Sequence, residues 1–115
     1  MSDTRCAKLI YWKARPSQFD RYSDYLRTEV EPIDHEAQRR GVLVRFSTLV
    51  DPRPDAPWSH MRVFEFTDAA QRDALVQGLA EVSQALTPDA QARAQRSSLA
   101  ATLRDKVGET DVDLL

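Results

Sequence analysis

The chain has 115 residues with a net charge of −2; 42% of its residues are hydrophobic and 30% are charged. This length predicts a single domain over residues 1–115, and the composition is typical of a globular protein in water. The balanced charge excludes a basic nucleic-acid-binding surface, and no apolar run approaches the roughly 20 residues that a membrane span requires.

Cys6 is the single cysteine, so the chain cannot form an internal disulfide. This agrees with a reducing compartment, and the N-terminal stretch lacks the apolar segment of a signal peptide, so we expect a cytoplasmic protein. The spacings CxxC and HExxH are absent, and we predict neither a metal nor an organic cofactor. We interpret Cys6 as a small buried residue.

Residues 6–14, CAKLIYWKA, are rich in aromatic and branched side chains and predict a first strand. Residues 17–40 predict a long helix, because apolar residues recur there at intervals of three and four. These are Phe19, Tyr22, Leu26, Val30, Ile33 and Ala37. Pro32 lies inside this pattern and predicts a kink, and Gly41 predicts the end of the helix.

Two further strands are predicted at residues 42–50, VLVRFSTLV, and 58–66, WSHMRVFEF. The segment between them, residues 51–57, contains three prolines and predicts a loop. After the third strand, Asp68 and Gln71 form a capping-box pattern that predicts the start of a second helix.

The second helix is predicted to end at Leu86, and Thr87-Pro88 then predicts a third helix over residues 87–107. Residues 110–115, TDVDLL, alternate and predict a short edge strand. The order β-α-β-β-α-(α)-β is an α+β ferredoxin-like arrangement, an antiparallel sheet with helices on one face. The other face of such a sheet exposes a large surface, so we expect a homodimer.

The segment YWKARPSQFDRYSDYLRTEVEPIDHEAQRRGVLVRF combines an aromatic strand ending in Lys-x-x-Pro, a Phe-x-x-Tyr-x-x-x-Leu helix and a helical proline about nine residues before a glycine. Together with VFEFTD at residues 63–68, it resembles the dimeric α/β-barrel superfamily over roughly residues 8–86. The resemblance implies two sheets that form a barrel across a homodimer, and a ligand cavity between each sheet and its helices.

That superfamily includes cofactor-free monooxygenases and cyclases of antibiotic biosynthesis, ring isomerases, haem-degrading enzymes and stress-response proteins. The resemblance does not imply one reaction, because such folds host many. No catalytic motif of these enzymes carries over to this chain residue by residue.

Alternation along the third strand places His60 and Arg62 on its most aromatic face. The predicted topology brings the end of the first strand and the start of the first helix to the level of His60. An aromatic pocket at this level suits a flat apolar ligand. Its predicted substrate-binding walls are Tyr11, Trp12, Tyr22 and Trp58.

Glu29 is predicted on the inner face of the first helix, where a carboxylate requires a partner, and Arg62 or His60 is the natural one. A histidine oriented by a carboxylate can act as a general base, and an arginine can stabilise an enolate, phenolate or carboxylate. His60, Glu29 and Arg62 are therefore the predicted catalytic residues. Tyr25 at the cavity mouth and Arg45 as a second anion contact complete the predicted substrate-binding set.

A structural interpretation of the same residues stays open at this point. His60 is then a core or interface residue, and Arg62 forms an ion pair with Glu29. If the alternate residues of the third strand face the helices, His60 points into the barrel instead. His35 is predicted on the outer face of the first helix, among solvated charges.

Three functions remain open. The favoured hypothesis is a cofactor-independent enzyme of secondary metabolism, a cyclase, isomerase or monooxygenase, that acts on an aromatic or polyketide-like small molecule with His60 as acid/base. The alternative is a non-catalytic ligand-binding or stress-response homodimer. The third is a haem-handling protein with His60 or His35 as axial ligand. None of the three involves a nucleic acid or a membrane.

Overall fold

The computed structural model describes residues 3–115. Its elements in chain order are β1 (Cys6–Ala14), α1 (Phe19–Tyr25), α2 (Glu31–Arg39), β2 (Arg45–Val50), β3 (His60–Phe66), α3 (Ala69–Asp73), α4 (Leu75–Leu86), α5 (Ala90–Leu103) and β4 (Arg104–Asp113). The sheet has the order β2-β3-β1-β4, and every neighbouring pair of strands is antiparallel. This is the predicted ferredoxin-like topology, with α5 as an additional helix.

The two faces of the sheet differ along β3, where buried and half-buried residues alternate. His60, Arg62, Phe64 and Phe66 are buried, which confirms that His60 and Arg62 face the helices. The opposite face is called here the bare face. It carries the β3 residues that lie between the buried ones, together with the residues at the same level on the other strands. Its apolar members are Leu9, Tyr11, Leu49, Met61, Val63 and Val112.

The predicted long helix is observed from Phe19 to Arg39, but a π turn at Leu26–Val30 separates α1 from α2. Pro32 is the physical reason, because it has no backbone N–H and its ring clashes with the carbonyl of Thr28. The wider π turn accommodates the lost hydrogen bond. Each π residue advances by less than the ~100° of an α residue, so residues beyond the turn are rotated relative to the predicted apolar stripe.

Half of the predicted capping box at the start of α3 is observed: Asp68 is the N-cap, but the Gln71 side chain binds the residue before Asp68. Asp68 accepts a hydrogen bond from the backbone N–H of Gln71 at 2.8 Å, while the Gln71 side chain accepts one from the backbone N–H of Thr67, also at 2.8 Å. The two strands before it are shorter than predicted: β2 begins at Arg45 and β3 at His60. The residues ahead of each strand belong to loops.

The predicted ends of the third helix and of the last strand are wrong. Residues 104–107, predicted as helix, form the start of β4, which pairs with β1. Residues 104–109, the first part of β4, do not alternate between apolar and polar; instead, Lys8 of β1 pairs with Glu109 and Asp111 of β4 at 3.0 Å each. Backbone pairing and ion pairs thus extend the strand beyond the part that apolar periodicity reveals.

Two clusters of buried side chains form the core. One lies between the sheet and the helices α2 and α4: Cys6, Ala37, Leu43, Phe64, Phe66, Leu75 and Val82. The other joins α1 to α5: Ala14, Tyr22, Tyr25, Leu26, Ala100 and Leu103. The predicted burial of Cys6 is confirmed. Over residues 3–115, no helix has both the length and the apolar character needed to cross a membrane.

Gly78 of α4 provides a test of the packing between α4 and the segment before β2. A β-carbon at Gly78 would lie 2.6 Å from Cγ1 of Val42. Alanine in a helix interior normally gains about 1 kcal/mol over glycine, but overpacking against a stiff branched side chain costs about 1–3 kcal/mol. We therefore expect Gly78→Ala to lower the free energy of unfolding, measured by urea denaturation.

The control is the same substitution in a Val42→Ala background, where the added methyl group has room. There we expect Gly78→Ala to be neutral or stabilising. Equal destabilisation in both backgrounds would contradict the close contact between Gly78 and Val42.

Candidate functional site

His60 lies at the start of β3 and is 0% exposed. Its imidazole centroid lies 4.7 Å from the ring centroid of Phe19 and 4.5 Å from that of Tyr22. Nδ1 is 2.8 Å from Oγ of Ser59, and Nε2 is 2.8 Å from Oγ of Ser23. Both ring nitrogens are therefore hydrogen-bonded within the protein.

The other hydrogen bonds of the two serines favour one tautomer of His60. Ser23 donates its hydroxyl proton to the backbone carbonyl of Phe19 at 2.9 Å, so its oxygen accepts from Nε2–H. Ser59 accepts the backbone N–H of Ala14 at 2.7 Å, and its own proton is shared with Nδ1 at 2.8 Å in preference to the backbone carbonyl of Trp12 at 3.5 Å. The imidazole is neutral in this arrangement. Burial, with a smaller effect from Arg27, lowers the pKa of His60 to about 4.

Arg62, two residues further along β3, forms a buried ion pair with Asp34 of α2. Arg62 also donates to the Thr48 hydroxyl at 3.2 Å, and its guanidinium carbon lies 5.0 Å from the ring centroid of Phe64. Burial raises the pKa of the Asp34 carboxyl, and the neighbouring guanidinium opposes that rise. The prediction that Glu29 is the carboxylate partner of this strand is therefore wrong.

Glu29 is exposed and lies beside Tyr25 in a pocket of about 200 Å³ that faces α5. The π turn explains the difference, because it rotates Asp34 onto the inner face that Glu29 would occupy in a continuous α-helix. Pro32 is the signal in the sequence, since a proline inside a helix changes the rotation of the residues around it.

A cavity of about 390 Å³, called here the main cavity, lies between the sheet and the helices α2 and α4. Its apolar walls include Ile10, Trp12, Val30, Ile33, Phe64 and Leu79. Charged side chains also line it: Lys8, Asp34, Arg62, Arg104, Lys106 and Glu109. Of the four predicted aromatic walls, Trp12 lines this cavity.

The three predicted catalytic residues line three different cavities. Arg62 lines the main cavity, His60 lines a separate one of about 230 Å³ together with Ser23, and Glu29 lies in the outer pocket beside α5. Ser59 lines a further cavity of about 370 Å³ beside the loop after β2. The structure does not bring His60, Glu29 and Arg62 to one ligand.

Two predicted aromatic walls lie on the bare face, so their predicted position around the imidazole is wrong. Tyr11 alternates with Trp12 along β1, and its ring centroid lies 6.1 Å from that of Trp58. Trp58 precedes β3, where strand alternation no longer applies. Arg45 is exposed on the bare face, opposite Glu65, and does not line the main cavity.

Tyr22 is a predicted wall residue that contacts His60, and Trp12 lies opposite His60 in the neighbouring strand. The Tyr22 hydroxyl accepts a hydrogen bond from Nη1 of Arg104 at 2.8 Å. Tyr25 stacks against Tyr22 with ring centroids 6.3 Å apart and donates to the backbone carbonyl of Arg96 at 3.3 Å. Tyr25 therefore packs against α5 and does not line the main cavity.

Neither histidine presents a free nitrogen to a cavity, as an axial ligand of haem iron would. Both nitrogens of His60 are bound to serine hydroxyls, and His35 is exposed with its ring centroid 4.9 Å from that of Phe46. In the described part of the chain, no group of three or more histidine, cysteine or acidic side chains is arranged to hold a metal ion.

Sequence reasoning misses four residues of the site: Ser23, Asp34, Ser59 and Arg104. Ser59 precedes the regular part of β3, so alternation does not assign its side chain to either face. Arg104 falls inside the predicted third helix, because the start of β4 has no apolar signal. Ser23 follows Tyr22, which belongs to the apolar face of the predicted first helix, and no sequence pattern marks Ser23 itself.

No protein-family model and no curated protein matches this chain. Similar solved structures include HapK from Hahella chejuensis, which is 17% identical over 96% of this chain and 92% of its own, with a TM-score of 0.60. NE2512 from Nitrosomonas europaea, a protein of unknown function, is 24% identical over 97% and 90% of the two chains, with a TM-score of 0.61.

A dimeric ferredoxin-like protein from an uncultured marine organism is 8% identical over 98% of this chain and 90% of its own, with a TM-score of 0.62. At these identities the similarity is one of fold. The chain is thus a ferredoxin-like α+β protein with a cavity between its sheet and its helices.

The environment of His60 makes the stability of the fold depend on pH. An unfolded histidine titrates near pH 6.5, whereas the folded pKa is about 4. The fold favours the neutral imidazole, so this stabilisation is complete above pH 6.5 and is lost as the pH falls toward 4. We expect urea denaturation to lose about 2–3 kcal/mol between pH 7 and pH 4.5.

His60→Gln is the control, because it removes the titrating group, and its stability should change much less over the same range. NMR titration of the wild-type imidazole gives an independent measurement. Protonation of His60 near pH 6.5 in the folded protein would contradict the prediction.

Proposed function

We propose that this protein is a homodimer that binds a small, flat and largely apolar molecule in the main cavity. The cavity itself carries the proposal: its volume of about 390 Å³ lies within the roughly 300–1,000 Å³ of small-molecule sites, which combine apolar walls with a few placed polar groups. Its location between sheet and helices is the one that the resemblance to the dimeric α/β-barrel superfamily implies.

The composition of the bare face supports the homodimer. Leu49 and Val112 are exposed there, and the aromatic pair Tyr11 and Trp58 lies on the same face. A contiguous apolar surface of this kind is a liability in water, and a second copy related by a two-fold axis covers it with the same surface. The marine protein of the same fold, described as dimeric, supports this assembly.

Catalysis without a cofactor is the second candidate function, and one observation favours it. Ser23, His60 and Ser59 form a continuous chain of hydrogen bonds whose two serines line separate cavities. A substrate proton in either cavity would reach the imidazole through a serine hydroxyl. A folded pKa of about 4 nevertheless makes His60 a weak base at pH 7, and His60 does not line the main cavity.

Ligand binding is therefore the better supported function. Cyclase, isomerase or monooxygenase chemistry on an aromatic or polyketide-like metabolite remains a hypothesis for His60. A measured folded pKa near 6.5 would reverse the order of the two candidates.

Blocking the main cavity tests ligand binding. Ala80 and Ala85 are both exposed on α4, but only Ala80 lines the main cavity. We expect Ala80→Trp to weaken binding of the fluorescent uncharged probe N-phenyl-1-naphthylamine at least about 10-fold, because the indole occupies the space of the probe. Ala85→Trp is the matched control and should stay within about twofold of the wild type. Equal affinities for all three proteins would contradict binding in this cavity.

A charge on the bare face tests the homodimer. Val63 lies in the middle of this face, between Leu9 of β1 and Ser47 of β2. We expect the wild type to sediment in analytical ultracentrifugation at twice the chain mass and Val63→Arg at the mass of one chain, because the buried interface would contain an unpaired charge. Gln77→Arg, on the exposed side of α4, is the control and should remain dimeric. A monomeric wild type at micromolar concentration would contradict the homodimer.

A further inference from the structure

Four cationic side chains line the main cavity, and three of them have carboxylate partners. Lys8 pairs with Glu109 and Asp111, Arg62 with Asp34, and Lys106 with Glu109. Arg104 differs from the others: among residues 3–115, no carboxylate lies within ion-pair distance of its guanidinium. Both acidic residues that line the cavity, Asp34 and Glu109, are already paired.

The guanidinium of Arg104 is nevertheless held in place. Its central carbon lies 3.6 Å from the ring centroid of Trp12, and its Nη1 donates to the Tyr22 hydroxyl at 2.8 Å. Arg104 is the first residue of β4, where it pairs with Ala14 of β1. The bond to Tyr22 uses one of the five N–H donors of the guanidinium.

Tyr22 does not serve as the counter-ion. Burial raises the pKa of its phenol, although Arg104 opposes that rise, and the phenol is neutral near pH 7. Arg104 is thus a half-buried, oriented cation beside an aromatic ring, and no carboxylate of residues 3–115 is paired with it. A planar fork of N–H donors in this setting binds a carboxylate or a similar two-oxygen anion with two parallel hydrogen bonds.

We propose that Arg104 is the anchor for an acidic group of the ligand, so that the ligand class is a flat apolar molecule carrying one anionic oxygen group. This inference rests on the proposed ligand binding in the main cavity. The anion lies on the guanidinium, and the apolar body extends along Trp12, Ile10 and Leu79. A ligand of this class supplies the counter-ion that the described part of the chain does not.

Two fluorescent probes with the same aromatic rings test the anchor. 1-Anilinonaphthalene-8-sulfonate carries an anion, and N-phenyl-1-naphthylamine does not. We expect Arg104→Gln to weaken binding of the sulfonate at least about 10-fold and binding of the uncharged probe less than about twofold. Arg104→Lys, which keeps the charge but lacks the fork, should give an intermediate loss for the sulfonate.

Arg39→Gln is the matched control, because Arg39 has the same side chain but lies outside the main cavity and is paired with Glu36. It should change the affinity for either probe less than about threefold. Near-UV circular dichroism verifies that each variant is folded. Should Arg104→Gln not fold, the Nε–H signal of Arg104 in the wild type is followed by NMR, and we expect it to shift with the sulfonate and not with the uncharged probe.

The outcomes separate this inference from the function on which it rests. If neither probe binds the wild type, ligand binding in the main cavity fails, and the anchor fails with it. If both probes bind the wild type but Arg104→Gln weakens both equally or neither, or if the Nε–H signal does not respond to the sulfonate, the cavity is retained and the anchor is overturned.

Discussion

The buried ion pair between Arg62 and Asp34 determines much of the candidate site. The two residues are 3% and 1% exposed, and removing one partner of such a pair typically costs about 3–5 kcal/mol, because the other charge remains buried without compensation. The pair therefore couples the orientation of β3 to the rotation of α2. It also neutralises the arginine in the sheet wall of the main cavity. The cation available to a ligand is consequently Arg104, on the edge strand β4, and not Arg62.

Pro32 is the residue that ultimately brings Asp34 to Arg62. The missing N–H of Pro32 and the clash of its ring with the preceding turn exclude a continuous α-helix, and the chain forms the π turn Leu26–Val30 instead. The extra width of that turn rotates α2, which directs Asp34 toward the sheet and leaves Glu29 in solvent. Irregular π turns frequently occur at functional sites because they re-aim side chains in this way. One backbone defect thus decides which carboxylate meets Arg62.

The sequence predicts those features that leave a pattern in their own short segment of the chain. The alternation of β3 correctly directs His60 and Arg62 toward the helices, because a strand with one buried face repeats every two residues. The boundaries of β1 and the position of Asp68 as the helix N-cap are also correct, for similarly local reasons. The first part of β4, residues 104–109, has no apolar alternation, so the sequence predicts neither the start of the strand at Arg104 nor the place of Arg104 in the main cavity. The contact of Asp34 depends on the rotation of α2 by the π turn, and the contacts of Ser59 depend on the loop before β3. Neither follows from regular periodicity.

A comparison of His60 with Arg104 explains why the conspicuous residue is the weaker functional candidate. A histidine among aromatic residues attracts attention in the sequence, but its two nitrogens have serine partners and its burial favours the neutral form, so the fold satisfies all of its hydrogen-bonding capacity. Arg104 lies in an unremarkable polar segment, yet its charge has no counter-ion among the residues that surround it. Buried polar groups are normally satisfied. A charge that the chain orients but does not pair therefore indicates a ligand more strongly than a reactive side chain whose partners are complete.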